Sequence, residues 1–180
     1  MQTNPHRQAS VRRANLGDAE AIFDLIRLHP DELITRPLGD IVQQIDRFYV
    51  AQADDKVVGC AAWSILPEVG DASRASIEIK SVAVATAWRG LGLGAALVKA
   101  VLERIADLRV PQVIVLTFTP GFFARLGFRE IPKTQIMHKI YSGCMNCTKH
   151  ANPFTCPEVA MAMEPAARPS GPVSTCESRT

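Results

Sequence analysis

The stretch Ser81-Val-Ala-Val-Ala-Thr-Ala-Trp-Arg-Gly-Leu-Gly-Leu-Gly-Ala-Ala-Leu97 decides how the rest of the chain is read. It opens as an apolar strand, turns at Arg89-Gly90-Leu91-Gly92-Leu93-Gly94, and continues at once into an apolar helical pattern. Three glycines strip side chains from the turn, so successive backbone N–H groups can close on a ligand. The helix behind them aims unpaired N–H groups and its positive dipole end at the same spot. Such a turn cradles an anion, and phosphate or pyrophosphate is the natural ligand.

Working outward, Leu93, Leu97, Val101, Ile105 and Leu108 form one helical stripe, with Lys99, Glu103 and Asp107 outside it. Pro111 marks the return, and Val113-Ile-Val-Leu116 reads as a fully buried strand. Ile77–Val84, the helix and this strand make a βαβ unit with a parallel pair at its centre. Upstream, Val11–Ala14 reads as a strand, and Asp18 is expected to cap a helix carrying Ala21, Ile22, Leu25 and Ile26. Ile41, Val42 and Ile45 predict a second helix. Phe48–Ala53 and Lys56–Leu66 predict a hairpin across Asp54-Asp55. A short helix near Phe122–Leu126 and a strand at Phe128–Ile131 close the pattern. Antiparallel strands first and one parallel unit later predict an α+β fold on a mixed sheet.

The whole chain sets bounds. It has 180 residues and a formal charge of +2, which suits one domain and is too weak a basic excess to argue for nucleic acid. No apolar run approaches a membrane span and no signal peptide is visible, so a cytoplasmic setting is the default expectation. The five cysteines do not read as a secreted disulfide framework. Residues 1–9 read as a flexible start, 10–140 as the folded domain, 141–163 as a Cys-rich extension, and 164–180 as disordered.

The glycine turn excludes two nucleotide readings. A phosphate-binding loop of nucleotide hydrolases needs Lys-Ser or Lys-Thr after its last glycine, and Ala95-Ala96 stands there. A dinucleotide fold wants an acidic residue after the next strand, and Thr117-Phe118-Thr119 has none. A turn that merely lets strand and helix pack closely would also use glycines.

Arg89-x-x-Gly92-x-Gly94, between a strand and a long helix and followed by Leu126-Gly127-Phe128, resembles the acyl-CoA signature of the GNAT superfamily of acetyltransferases. The resemblance covers about residues 10–140. It implies splayed central strands, helices on both faces of the sheet, and acetyl-CoA as co-substrate. The backbone of Val82, Ala83 and Val84 would pair with the pantetheine arm. Amides of Arg89, Gly90, Leu91, Gly92, Leu93 and Gly94 would hold the pyrophosphate, with Arg89 adding charge. Transfer to an amine would then be direct, through orientation, proton removal and oxyanion stabilisation.

Glu78 is the candidate base, since strand alternation puts it on one face with Lys80 and Val82. An exposed Glu78 paired with Lys80 is the alternative. The family's usual tyrosine, four residues before the glycine of the Gly-Phe pair, is Phe123 here, and the usual asparagine of the preceding loop has no counterpart in Thr119-Pro-Gly121. Leu33–Leu38, Ile77–Val84 and Leu116–Phe123 further resemble N-acetylglutamate synthases, and the segment Cys144–Met161 resembles their short, single-domain bacterial members. That likeness implies glutamate as acceptor, entry into arginine biosynthesis, and Arg36 and Lys80 as carboxylate clamps. A protein or peptide acetyltransferase and a non-catalytic acyl-CoA sensor are the competing readings; a homodimer is the assembly the resemblance allows. Cys144, Cys147, His150 and Cys156 have the donors for tetrahedral zinc, with His138 an alternative ligand and simple or redox-labile thiols the other reading.

Overall fold

A computed structural model describes residues 8–68, 70–147 and 149–165; most of the expected disordered tail, Cys176 included, lies outside them. Strand β1 (Ser10–Arg13) leads through a 3-10 turn into helix α1 (Ala19–Arg27). Asn15 caps this start instead of Asp18: its side-chain oxygen accepts the Gly17 N–H at 2.8 Å. Asp18 turns back, accepting the Asn15 N–H and two guanidinium N–H groups of Arg12, each at 2.8 Å. Those Arg12 hydrogen bonds hold the Asp18 carboxyl below its usual range.

Helix α2 (Leu38–Gln43) precedes the hairpin β2 (Phe48–Ala53) and β3 (Lys56–Leu66), whose bounds are those the sequence predicts. Asp54 and Asp55 take φ of 45° and 60°, the left-handed pair that a two-residue hairpin turn requires. Then come β4 (Ser76–Val84), α3 (Leu93–Ile105), β5 (Gln112–Thr117), α4 (Pro120–Ala124) and β6 (Arg129–Glu130). The short helix α5 (Met137–Ser142) and strand β7 (Val159–Met163) follow. No sequence signal marked β7, yet it lies inside the sheet.

That sheet has seven strands in the order β1-β2-β3-β4-β5-β7-β6, and β4 with β5 is its parallel pair. On one face Leu97, Val98, Val101 and Ile105 of α3 pack on Ile77, Ile79, Val113 and Val115. Leu108 leaves this stripe and is 40% exposed, because α3 ends first and a 3-10 turn carries it outward. On the other face α1 and α2 cover Phe48, Val50, Cys60 and Ala62. A third cluster sits farther along the sheet, where Ile136 joins Leu66, Ile114, Ala160 and Ala162. Truncating any of these buried Leu or Ile side chains to Ala costs about 2–5 kcal/mol.

Two irregularities open the middle of the sheet. Strands β4 and β5 pair only over Ser76–Glu78 against Gln112–Ile114, and beyond that they separate. Ser81 has φ of 53°, where the register between β3 and β4 slips by one residue. This bulge resets the alternation of β4. Glu78 and Lys80 therefore share a face, but Val82 crosses to the α3 side and packs there with Val84, contrary to simple alternation. Among the described residues no helix is long and apolar enough to cross a membrane.

Candidate active site

The gap between the parted strands holds a groove of about 550 Å³. Val82–Val84 of β4 line it on one side and 115–119 on the other, and residues of the glycine turn also line it. Gly90 and Gly92 have φ of 80° and 78°, a conformation that side chains strain to adopt. Gly92 is the N-cap of α3 and supplies no side chain to its amides; the first helical bond is Ala96 N–H to Gly92 O at 3.0 Å. The N–H groups of Leu93, Gly94 and Ala95 thus stand at the open end of a 13-residue helix. The residues expected to hold a pyrophosphate line this groove, except Leu91, which is 53% exposed.

Arg89 is engaged already. Its Nε donates to the Val84 carbonyl at 3.2 Å, and its terminal nitrogens meet Glu32 at 3.1 Å and His29 Nδ1 at 3.0 Å. The Glu32 pair is half exposed, so it contributes at most about 1 kcal/mol and yields readily to a phosphate.

A second cavity, of about 110 Å³, opens off the groove, and the two share Leu33, Lys80, Ser81 and Leu116 among their walls. Its wall takes Leu33 from the α1–α2 cluster and Leu116 from the third cluster. Arg36, from the connection between α1 and α2, and Glu78 and Lys80, from β4, all line it. The Arg36 guanidinium donates to Ser81 Oγ at 3.0 Å, so the bulge residue holds this arginine at the cavity wall. Lys80 Nζ donates to Gln44 Oε1 at 3.0 Å. Burial, and then the charge of Arg36, push the Lys80 ammonium down to about 8.

Glu78 is buried, so the exposed alternative does not hold, and its partner is not Lys80. Lys139 Nζ sits 2.6 Å from Glu78 Oε1, and the Ser64 hydroxyl reaches Oε2 at 3.4 Å. Lys139 belongs to α5, which a further bond anchors: His138 Nε2 lies 2.5 Å from Ser76 Oγ, two residues from Glu78 on β4. Lys133, Lys139 and Glu158 complete the cavity wall. All three went unread in the sequence, since nothing in their spacing points back to β4. Burial raises the Glu158 carboxyl above its usual range.

Comparison with known proteins now bears on this geometry. Residues 44–130 match the acetyltransferase (GNAT) domain. An uncharacterized N-acetyltransferase of Chlorobaculum tepidum is 33% identical over 159 residues, spanning 87% of this chain and 97% of the relative. The chain belongs to the GNAT acetyltransferase family. An amino-acid acetyltransferase of Mycobacterium tuberculosis is 37% identical over 136 residues, 73% of this chain and 74% of that one. The crystal structure of Rv2747 from Mycobacterium tuberculosis, in complex with CoA and NLQ, superposes with a TM-score of 0.71 at 31% identity, covering 86% of this chain and 98% of that chain.

For a GNAT acetyltransferase, one feature is unusual. Phe123, at the position of the family's tyrosine, is buried in edge-to-face contact with Phe122 and Phe128 and brings no hydroxyl of its own. The donors expected for zinc share a wall without clustering. Cys144, Cys147, His150 and Cys156 line one cavity, but among the described residues no three His, Cys, Asp or Glu side chains come together as metal ligands. His138 is drawn away by Ser76 and Glu68.

Proposed function

We propose that this enzyme transfers the acetyl group of acetyl-CoA to the α-amine of an acidic amino acid, with L-glutamate the favoured acceptor. The observation that carries the reading is the small cation-lined cavity opening at Lys80 and Ser81 from the side of the long groove. The groove suits a pantetheine arm beside Val82–Val84 and a pyrophosphate on the amides of α3. Its relatives' names and the CoA of the Mycobacterium tuberculosis structure support this donor. Arg36 and Lys80 would take the two carboxylates of the acceptor, in a cavity too small for a folded peptide segment.

The acceptor amine would then attack the thioester carbonyl where β4 and β5 part. The oxyanion forms beside the strand amides, the C–S bond breaks, and CoA leaves as thiolate. Glu78, held by Lys139, takes the ammonium proton, directly or through water. Phe123 cannot donate to the thiolate, so that proton arrives from water or returns through Glu78. By this reading the chain opens arginine biosynthesis in the cytoplasm.

The test is CoA-thiol release from acetyl-CoA across a panel of amino acids and short peptides. Glutamate should be the best acceptor. Glu78→Gln should lower kcat by about 10²-fold or more with little change in acetyl-CoA KM. Preference for a peptide or an uncharged amino acid, or acetyl-CoA binding with no turnover on any acceptor, would overturn the proposal.

A further inference from the structure

Acyl transfer as outlined above requires no thiol from the enzyme, yet three line its smaller cavity. Cys144, Cys147 and Cys156 are free and partly buried there. Cys144 opens a 3-10 turn, Cys144–Asn146, two residues after the end of α5. The Cys147 N–H donates back to the Cys144 carbonyl at 3.1 Å. A turn closed in this way keeps its first and fourth Cα atoms within about 7 Å, and one 3-10 turn rises about 6 Å. A disulfide spans Cα separations of about 4.4–6.8 Å. Cys144 and Cys147 are therefore held at bridging distance by their own backbone.

The other two described thiols are placed differently. Lys133 Nζ holds the carbonyl of Cys156, whose thiol turns to the Glu158 carboxylate at 3.7 Å. Cys60 is buried in the sheet with its thiol on the Ser81 carbonyl at 3.4 Å.

We propose that Cys144 and Cys147 form a reversible disulfide in the wall of the acceptor cavity, and that forming it weakens acceptor binding while leaving the donor groove alone. The inference rests on the acceptor reading of that cavity. The co-reactant is a low-molecular-weight disulfide. The thiolate of one cysteine attacks a sulfur of that disulfide and expels one small thiolate. The second cysteine then attacks the protein sulfur of the mixed disulfide and expels the other. The two protein thiols lose two electrons and two protons, and the small disulfide becomes two small thiols.

The consequence is local because of where the turn sits. Neither cysteine lines the long groove, whereas both line a space of only about 110 Å³. Drawing two sulfurs to about 2.05 Å moves that wall. It also pulls on the end of α5, the helix whose Lys139 holds Glu78.

The experiment uses the full chain, purified reduced and without chelators, then equilibrated in buffers of graded oxidised to reduced glutathione. Peptide mapping should find a Cys144–Cys147 link, with Cys60 unmodified, and added reductant should remove it. Acceptor KM should rise about tenfold on oxidation while acetyl-CoA KM stays within twofold. Cys144→Ser and Cys147→Ser should each lose the response, and Cys156→Ser should keep it. A different pairing, no pairing, zinc retained at one ion per chain, or a mapped disulfide without change in acceptor KM would overturn the proposal. If reduced enzyme turns over another amino acid instead of glutamate, the glutamate reading has failed and that acceptor's KM decides the gate. If it turns over none, the gate falls with the acceptor reading while the mapped disulfide is judged by itself.

Discussion

On the proposed acceptor reading, Lys80 would tie acceptor binding to pH. Its ammonium is largely desolvated and is crowded by Arg36, Lys139 and Arg47, so its pKa falls from 10.5 to about 8. As a clamp for a carboxylate it is charged below that value and neutral above it. Glutamate KM should therefore rise as pH passes 8, acetyl-CoA KM should not follow, and Lys80→Met should flatten the profile. Stability runs the other way. Between 8 and 10.5 the unfolded chain binds this proton and the folded chain does not, so the Lys80 contribution to stability grows with rising pH in that window. Denaturant titrations of the two proteins across that range would show the difference. The charge of Lys80 was legible from its place in Ile77–Val84; its company was not, because Arg36, Arg47 and Lys139 reach it from other elements.

Among the elements, β4 matters most. Its bulge at Ser81 turns Val82 and Val84 toward α3 while Glu78 and Lys80 stay on the opposite face. Period-two counting works up to Lys80 and fails after it, since a bulge is set by pairing with β3 and leaves no composition signal in Ile-Lys-Ser-Val. The same crossing point demands Gly59 on β3: a Cβ there would lie 3.0 Å from Leu97 Cδ1 and 3.2 Å from the Ala83 carbonyl. Gly59→Ala should thus destabilise the fold by about 1–3 kcal/mol, read as a lowered Tm, because the backbone carbonyl cannot move aside as a side chain would. The hairpin and α3 were readable because their signals are local. Strand β7, Val-Ala-Met-Ala-Met, carries no alternation to betray it, being covered by neighbours on both sides of the sheet.

Across the molecule, the connection between α1 and α2 is fastened at two points. Arg89 of the glycine turn holds Glu32 and His29 at one, and Lys149 donates to the Pro30 and Leu33 carbonyls at the other, the latter at 2.7 Å. Leu33 lines both the groove and the smaller cavity, so this connection is a wall common to the two. Lys149→Met removes two exposed hydrogen bonds and should cost less than about 1 kcal/mol of stability. Acceptor KM should nonetheless rise several-fold, since the Leu33 wall is no longer tied to the Cys-rich segment; a melting curve beside initial-rate kinetics separates the two effects.

The amino-acid sequence alone determined the glycine turn at the head of α3, because it is made by contiguous residues whose backbone freedom and helix polarity need no partner. It also located Arg36, Glu78 and Lys80 one by one. Only the tertiary structure decided that these three share a cavity, that Lys139 rather than Lys80 holds Glu78, and that Cys144, Cys147 and Cys156 form part of the same wall. Those pairings depend on the splay of β4 from β5 and on α5 folding back across the sheet, which arise from long-range packing and leave no period in the chain.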